Sequence, residues 1–199
     1  VPRQVDHEAR RDEIADVAAA LIANHGPEGV SLRSLAAASG GSTTSVTHYF
    51  ADRREVLRHA YRAALRHASD RVEAIGPAEP DRLRHTCEAV MPLDDARRQT
   101  WQTWLAFHGV AAADPVLADL QSRRTRDFRA LLARLIADEQ ARGTVDPGLD
   151  PGAESRELLA LVQGISTQAA FDPEDWPAAR QRASLWRALD GLRGCRENP

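Results

Sequence analysis

The chain has 199 residues, 26 basic and 29 acidic side chains and a formal net charge of -3, and all 26 basic residues are arginine. Without lysine there is no P-loop lysine for a nucleotide phosphate, no Schiff-base lysine for a pyridoxal cofactor and no Ser-Lys nucleophile pair. The length suffices for one large domain or two small ones, and a composition rich in Ala, Arg and Leu with only 5% aromatics favours helix over sheet.

The first helix is expected from about Asp6, as its cap, to His25. Ile14, Val17, Ala18, Leu21 and Ile22 recur at i, i+3, i+4, i+7 and i+8 and form one buried stripe. Gly26-Pro27 ends that helix. Ser31 caps a short second helix, Leu32 to Ser39, with Leu35 and Ala36 facing inward. Gly40-Gly41 turns the chain, and Ser42 caps a third short helix that ends near Phe50. Asp52 caps a long fourth helix, stopped after Ile75 by Gly76-Pro77. Five further helices are expected at roughly Asp81 to Val90, Asp94 to Ala113, Pro115 to Arg142, Pro151 to Phe171 and Glu174 to Leu192. No segment alternates with period two, so the fold class is all-α. About nine helices divide into a small N-terminal three-helix unit (1–58) and a larger C-terminal bundle (59–199).

Charge is unevenly placed. From Ser31 to Arg71 there are seven arginines against three acids, and Ser31 to Phe50 contains no acid. Short helix, glycine turn, short helix is the layout of a helix-turn-helix, whose second helix enters the major groove. Ser42, Thr43, Thr44, Ser45, Thr47 and His48 give that helix a small polar surface, with Val46 and Phe50 pointing into the core. The lack of acids avoids repelling phosphates.

The run Gly40 to Leu57 (GGSTTSVTHYFADRREVL), extended back through Val30-Ser31-Leu32-Arg33-Ser34-Leu35-Ala36, resembles the N-terminal signature of the tetracycline-repressor (TetR) family. The resemblance implies a homodimeric, all-helical transcription regulator, usually a repressor released from an inverted-repeat operator by a small ligand. It implies DNA contacts from Arg33, Ser42, Thr43, Thr44, Ser45, Thr47, His48, Tyr49 and Arg53. Four positions depart from the pattern. Thr47 stands where the family usually has a phosphate-contacting tyrosine, Arg53 where it has lysine, Gly41 where valine is common and Thr44 where glycine or alanine is usual. Further on, Trp101-x-x-Trp104-Leu105-Ala106-Phe107, Arg123-Arg124-x-Arg126 and Leu158 to Gly164 resemble the subfamily of choline-responsive betaine-synthesis repressors.

Trp101, Trp104 and Phe107 share a helical face; at least one of them is expected to pack in the core, and together with His108 and Met91 they are the expected wall of a pocket for a small organic effector. Cys87 and Val90 line the same cavity or fill the core. The apolar stripes Leu158, Leu161, Val162, Ile165 and Ala169, and Leu185, Leu189 and Leu192, are expected to form a homodimer interface. Arg123, Arg124, Arg126 and Arg129 read as a solvated face paired with nearby acids. The histidines lack metal-ligand spacing, and Ser166 sits mid-helix outside a Gly-x-Ser-x-Gly elbow, so neither a metal, a cofactor nor enzyme chemistry is expected. Aliphatic runs reach only about five residues (Leu158 to Val162), too short for a membrane span. The opening Val1-Pro2-Arg3-Gln4 shows no signal region, and Cys87 and Cys195 lie far apart. A cytoplasmic protein with reduced thiols is expected.

Overall fold

The computed structural model describes the backbone of residues 2–193 and the side chains of residues 7–193. Among these, nine α-helices and no strands are found: α1 (Pro2–His25), α2 (Leu32–Ala38), α3 (Thr43–Thr47), α4 (Arg53–Glu73), α5 (Arg82–Val90), α6 (Asp95–Ala113), α7 (Pro115–Ala141), α8 (Pro151–Phe171) and α9 (Ala178–Leu192). No described helix is long and apolar enough to cross a membrane.

Three expected boundaries are corrected. α1 already runs at Pro2, so Asp6 lies within the helix rather than at its cap. α3 is shorter than expected, with Tyr49 and Phe50 bonding back to the Val46 carbonyl in a closing turn. α9 begins at Ala178 instead of Glu174, with Pro177 at its N-cap; a proline disfavours helical backbone in the residue before it. Cys195 lies outside the described residues.

The chain forms two compact units. One comprises Val1–Asp70 with Arg98–Leu117, the other Arg71–Arg97 with Ala118–Pro199. A cut at residue 58 therefore falls inside α4, and α6 packs with the N-terminal helices. The first unit buries Ile14, Ala15, Ala18 and Ile22 of α1, Leu35 of α2, Val46, Phe50, Val56, Leu57, Ala60 and Tyr61. The α1 stripe is rotated slightly from the sequence reading, since Ala15 and Ala19 are buried while Val17 and Leu21 are half-buried.

α6 is fastened to this unit at three levels. Thr103 Oγ1 donates to the Ala19 carbonyl at 3.0 Å. Phe107 packs on Tyr61 with ring centroids 4.8 Å apart. At the far end, Arg54 Nε and Nη2 both reach Asp114 Oδ2 at 2.7 Å, while Asp114 Oδ1 accepts from Val116 N at 3.0 Å and caps α7. The Arg54 guanidinium holds the Asp114 carboxyl below the usual carboxylate range.

In the second unit the core is Leu83, Cys87 and Met91 with Leu132, Leu135 and Ile136 of α7, Leu158, Leu159, Val162 and Ile165 of α8, and Leu185, Leu189 and Leu192 of α9. Burial pushes the Cys87 thiol up to about 12, so it stays protonated. This core corrects the expected dimer stripe. Leu158, Val162, Ile165, Ala169, Leu185, Leu189 and Leu192 are each at most 9% exposed within the chain itself. They pack inside the chain and offer no face to a partner; of that set only Leu161 is half-buried.

Candidate nucleic-acid interface

The short helices of the first unit exist because each has a side-chain cap. Ser31 and Ser34 form a reciprocal capping box, with Ser34 N donating to Ser31 Oγ at 3.0 Å and Ser31 N to Ser34 Oγ at 2.9 Å. Ser42 Oγ accepts from Ser45 N at 3.1 Å and starts α3. A five-residue helix has few internal bonds, so its cap matters. Ser42→Ala is expected to cost about 1 kcal/mol, read as a lower thermal midpoint. Between the helices Gly40 has φ 68°, which a residue with a β-carbon rarely adopts. At Gly41 a β-carbon would stand 2.8 Å from Ser45 Oγ, so a larger residue there requires the Ser45 hydroxyl to rotate away.

This scaffold turns one face of α3 outward. Ser42, Thr43, Thr44, Thr47 and His48 are exposed, as is Arg33 on α2, while Val46 and Phe50 are buried beneath them. Ser45 and Tyr49 are half-buried. The Thr47 hydroxyl donates to the Thr44 carbonyl at 2.9 Å, leaving its oxygen able to accept. The Tyr49 ring leans on His7 of α1, centroids 4.5 Å apart. Arg53 is placed differently: its Nε donates to Val30 O at 2.8 Å and its Nη2 to Pro27 O at 2.6 Å, with Glu28 Oε2 at 3.1 Å.

Sequence reasoning missed the residues that hold this face. Arg10 Nη2 donates to the Ser39 carbonyl in the turn at 3.1 Å. Arg11 is paired with Glu55 and lies over the Phe50 ring. The other oxygen of Glu55 accepts from Ala51 N at 2.8 Å, and Asp52 caps Glu55 N at 2.7 Å. The Asp52 cap is the one expected from the sequence, and the glutamate three residues on was a usable signal for Glu55; nothing local in the sequence marks Arg10 or Arg11.

Of the expected effector wall, Met91 belongs to one unit and Trp101, Trp104, Phe107 and His108 to the other. Met91 is fully buried in the core of the second unit, and Phe107 is buried against Tyr61 in the first. The corrected aromatic face is a ladder along α6. Trp101 meets Trp104 edge-on at 4.5 Å and Trp104 meets His108 at 3.7 Å. It passes from a buried Trp101 through a half-buried Trp104 to an exposed His108. Loss of solvation lowers the His108 pKa, which favours the neutral imidazole. Arg123, in the basic run of α7, pairs with Asp119 one turn earlier.

Residues 14–60 match the pattern of the bacterial regulatory proteins of the tetR family, and residues 77–194 match the C-terminal pattern of BetI-type transcriptional repressors. The chain belongs to the TetR family. It is 31% identical over 198 residues to the HTH-type transcriptional regulator BetI of Burkholderia thailandensis, covering 92% of this chain and 94% of that protein. It is 27% identical over 177 residues to the regulator PksA of Bacillus subtilis, covering 87% and 84% respectively. Among solved structures it is similar to a protein from Saccharomonospora viridis, described as a transcriptional regulator and crystallised with choline. That likeness has a TM-score of 0.84 and 25% identity, and covers 92% of this chain and 96% of that one. This TetR-family chain is thus a transcriptional regulator of the BetI type, and the relatives it matches are regulators rather than enzymes.

Proposed function

We propose that this regulator binds an inverted-repeat duplex operator as a homodimer in the cytoplasm, and that a small organic effector releases it. The region around residues 1–58 reads DNA, and residues 59–199 serve effector binding and dimerisation, with α6 packed in the reading unit. The observation that carries the proposal is the outward face of α3, polar, capped and free of acids, standing over a buried Val46 and Phe50. Thr43, Thr44, Ser45 and His48 take the base edges. Ser42, Thr47 and Tyr49, with Arg33 on α2, take the flanking phosphates. Arg53 stands beside them at the start of α4.

A gel shift against the DNA flanking the protein's own gene tests this reading. The expected result is a fragment bound far more tightly than unrelated duplex of equal length. His48→Ala should then relax the preference at one base pair of each half-site, by about 1–3 kcal/mol. Equal affinity for all fragments would overturn the assignment.

On the effector side, Trp104 and His108 offer an apolar aromatic surface with one neutral hydrogen-bonding ring, suited to an organic molecule and requiring no cofactor. Choline, present in the Saccharomonospora viridis relative, is the first compound to titrate while following tryptophan fluorescence. An effector must bind the DNA-free form better, since equal affinity for both forms shifts nothing.

A further inference from the structure

We infer that Arg53, at the position where the family pattern usually carries a lysine, acts in this chain as an internal brace that positions the DNA-reading helices. The inference rests on the reading that α3 binds DNA. Its basis is the shape of the guanidinium. Arg53 Nε and Nη2 take two carbonyls three residues apart, Val30 O at 2.8 Å and Pro27 O at 2.6 Å, and Nη2 also lies 3.1 Å from Glu28 Oε2. Two donors side by side on one edge of a rigid plane fit two carbonyls of one tight turn; an ammonium is a point charge and cannot span them in the same way. The carbonyls belong to the 3₁₀ turn Pro27–Gly29 and to Val30, which is 1% exposed and leads directly into the capping box of α2. Arg53 therefore fixes the point from which α2, and the turn after it, set out.

The brace is one of three. Each segment bounding the helix-turn-helix is held by a different arginine. The entry turn is held by Arg53, the central turn by Arg10 through Ser39 O, and the exit by Arg11 through Glu55, whose carboxylate also holds Ala51 N. In each case the positive charge meets a carbonyl or carboxylate of the protein itself. A count of basic residues around α3 then overstates how many phosphates the head neutralises.

The two roles differ in what salt does. A phosphate contact releases about one counterion, so its loss flattens the log-log dependence of affinity on salt by about 0.9. A positioning residue changes the fit of α3 to its operator and leaves that slope alone. The experiment compares wild type, Arg53→Lys and Arg53→Met, using the flanking-DNA fragment that wild type prefers and an unrelated duplex of equal length, across a salt series. Thermal midpoints are measured on the same samples.

For both variants the expected result is a roughly tenfold loss of affinity for the preferred fragment. Affinity for the unrelated duplex and the salt slope should stay unchanged at temperatures where the variants are folded. The loss of preference sets a positioning role apart from a merely structural one, which would lower the midpoint and leave folded protein binding normally. A slope flattened by about one in Arg53→Met and restored in Arg53→Lys would overturn the inference and make Arg53 a phosphate contact. Variants that keep wild-type preference and slope would also overturn it. A wild type that prefers no fragment would sink the DNA-reading assignment itself, a failure visible before any variant is made.

Discussion

Phe107→Ala is expected to cost about 3–5 kcal/mol of stability, the range for truncating a buried aromatic side chain. Phe107 is 2% exposed and its ring lies 4.8 Å from that of Tyr61, itself 2% exposed on α4. Removing it leaves a cavity between α4 and α6 that the neighbouring Thr103 and Asp114 contacts prevent from closing, because the chain stays pinned on both sides of Phe107. Urea denaturation of the whole chain measures the loss, and Trp104→Ala is the comparison. Trp104 is half-buried in the middle of its ladder, so its truncation should cost clearly less. A wall residue of an effector cavity would show the reverse pattern, with little loss of stability and a changed effector response. A loss below about 1 kcal/mol for Phe107→Ala would return Phe107 to the cavity.

That contrast marks where the sequence was readable. The period of apolar residues placed nine helices, and serine caps together with a left-handed glycine placed the helix-turn-helix, because these signals act within a few residues of one another. The outward face of α3 followed directly. The aromatic triplet on α6 was ambiguous, since spacing puts Trp101, Trp104 and Phe107 on one side of a helix and says nothing about what that side meets. The fold divides them: Phe107 meets Tyr61 of α4, while Trp104 meets His108 on its own helix. The leucines of α8 and α9 failed for the same reason. An apolar stripe shows that something covers it, and in this chain α5 and α7 cover it. The arginine braces were beyond reach because Arg10 and Ser39, or Arg53 and Pro27, are about 26 to 29 residues apart, and an arginine on the page looks the same whether it meets a carbonyl or a phosphate.

The homodimer is expected on the opposite face of α8 from the one the leucines suggested, and Gly164→Arg is expected to abolish it. With the leucine stripe buried, α8 leaves Ala160, Gly164 and Gln168 exposed at successive turns, Leu161 half-buried beside them and Phe171 78% exposed at the end. On α9 the exposed positions include Ala179, Ala183 and Trp186. Small residues such as Ala160 and Gly164, one turn apart, let two helices approach closely, and large apolar side chains at the margins give such a contact area, so two copies are expected to pair through α8 and α9 in a four-helix interface. Gly164 is the sharpest probe. A β-carbon there meets nothing within 4 Å in the single chain, and its φ is not in the left-handed region. Arginine is therefore compatible with the protomer, and replacing a mid-helix glycine by a better helix former favours α8 by roughly 1 kcal/mol. Sedimentation at micromolar concentration should show a dimer for wild type and a monomer of undiminished helix content for Gly164→Arg. Binding to the full operator should fall with it, because two half-sites about 34 Å apart need two linked reading heads. Ile165→Glu, one residue along, gives the control: Ile165 is 3% exposed in the core, so a charge there should unfold the second unit rather than produce a folded monomer. A Gly164→Arg protein that still sediments as a dimer would place the interface elsewhere on the chain.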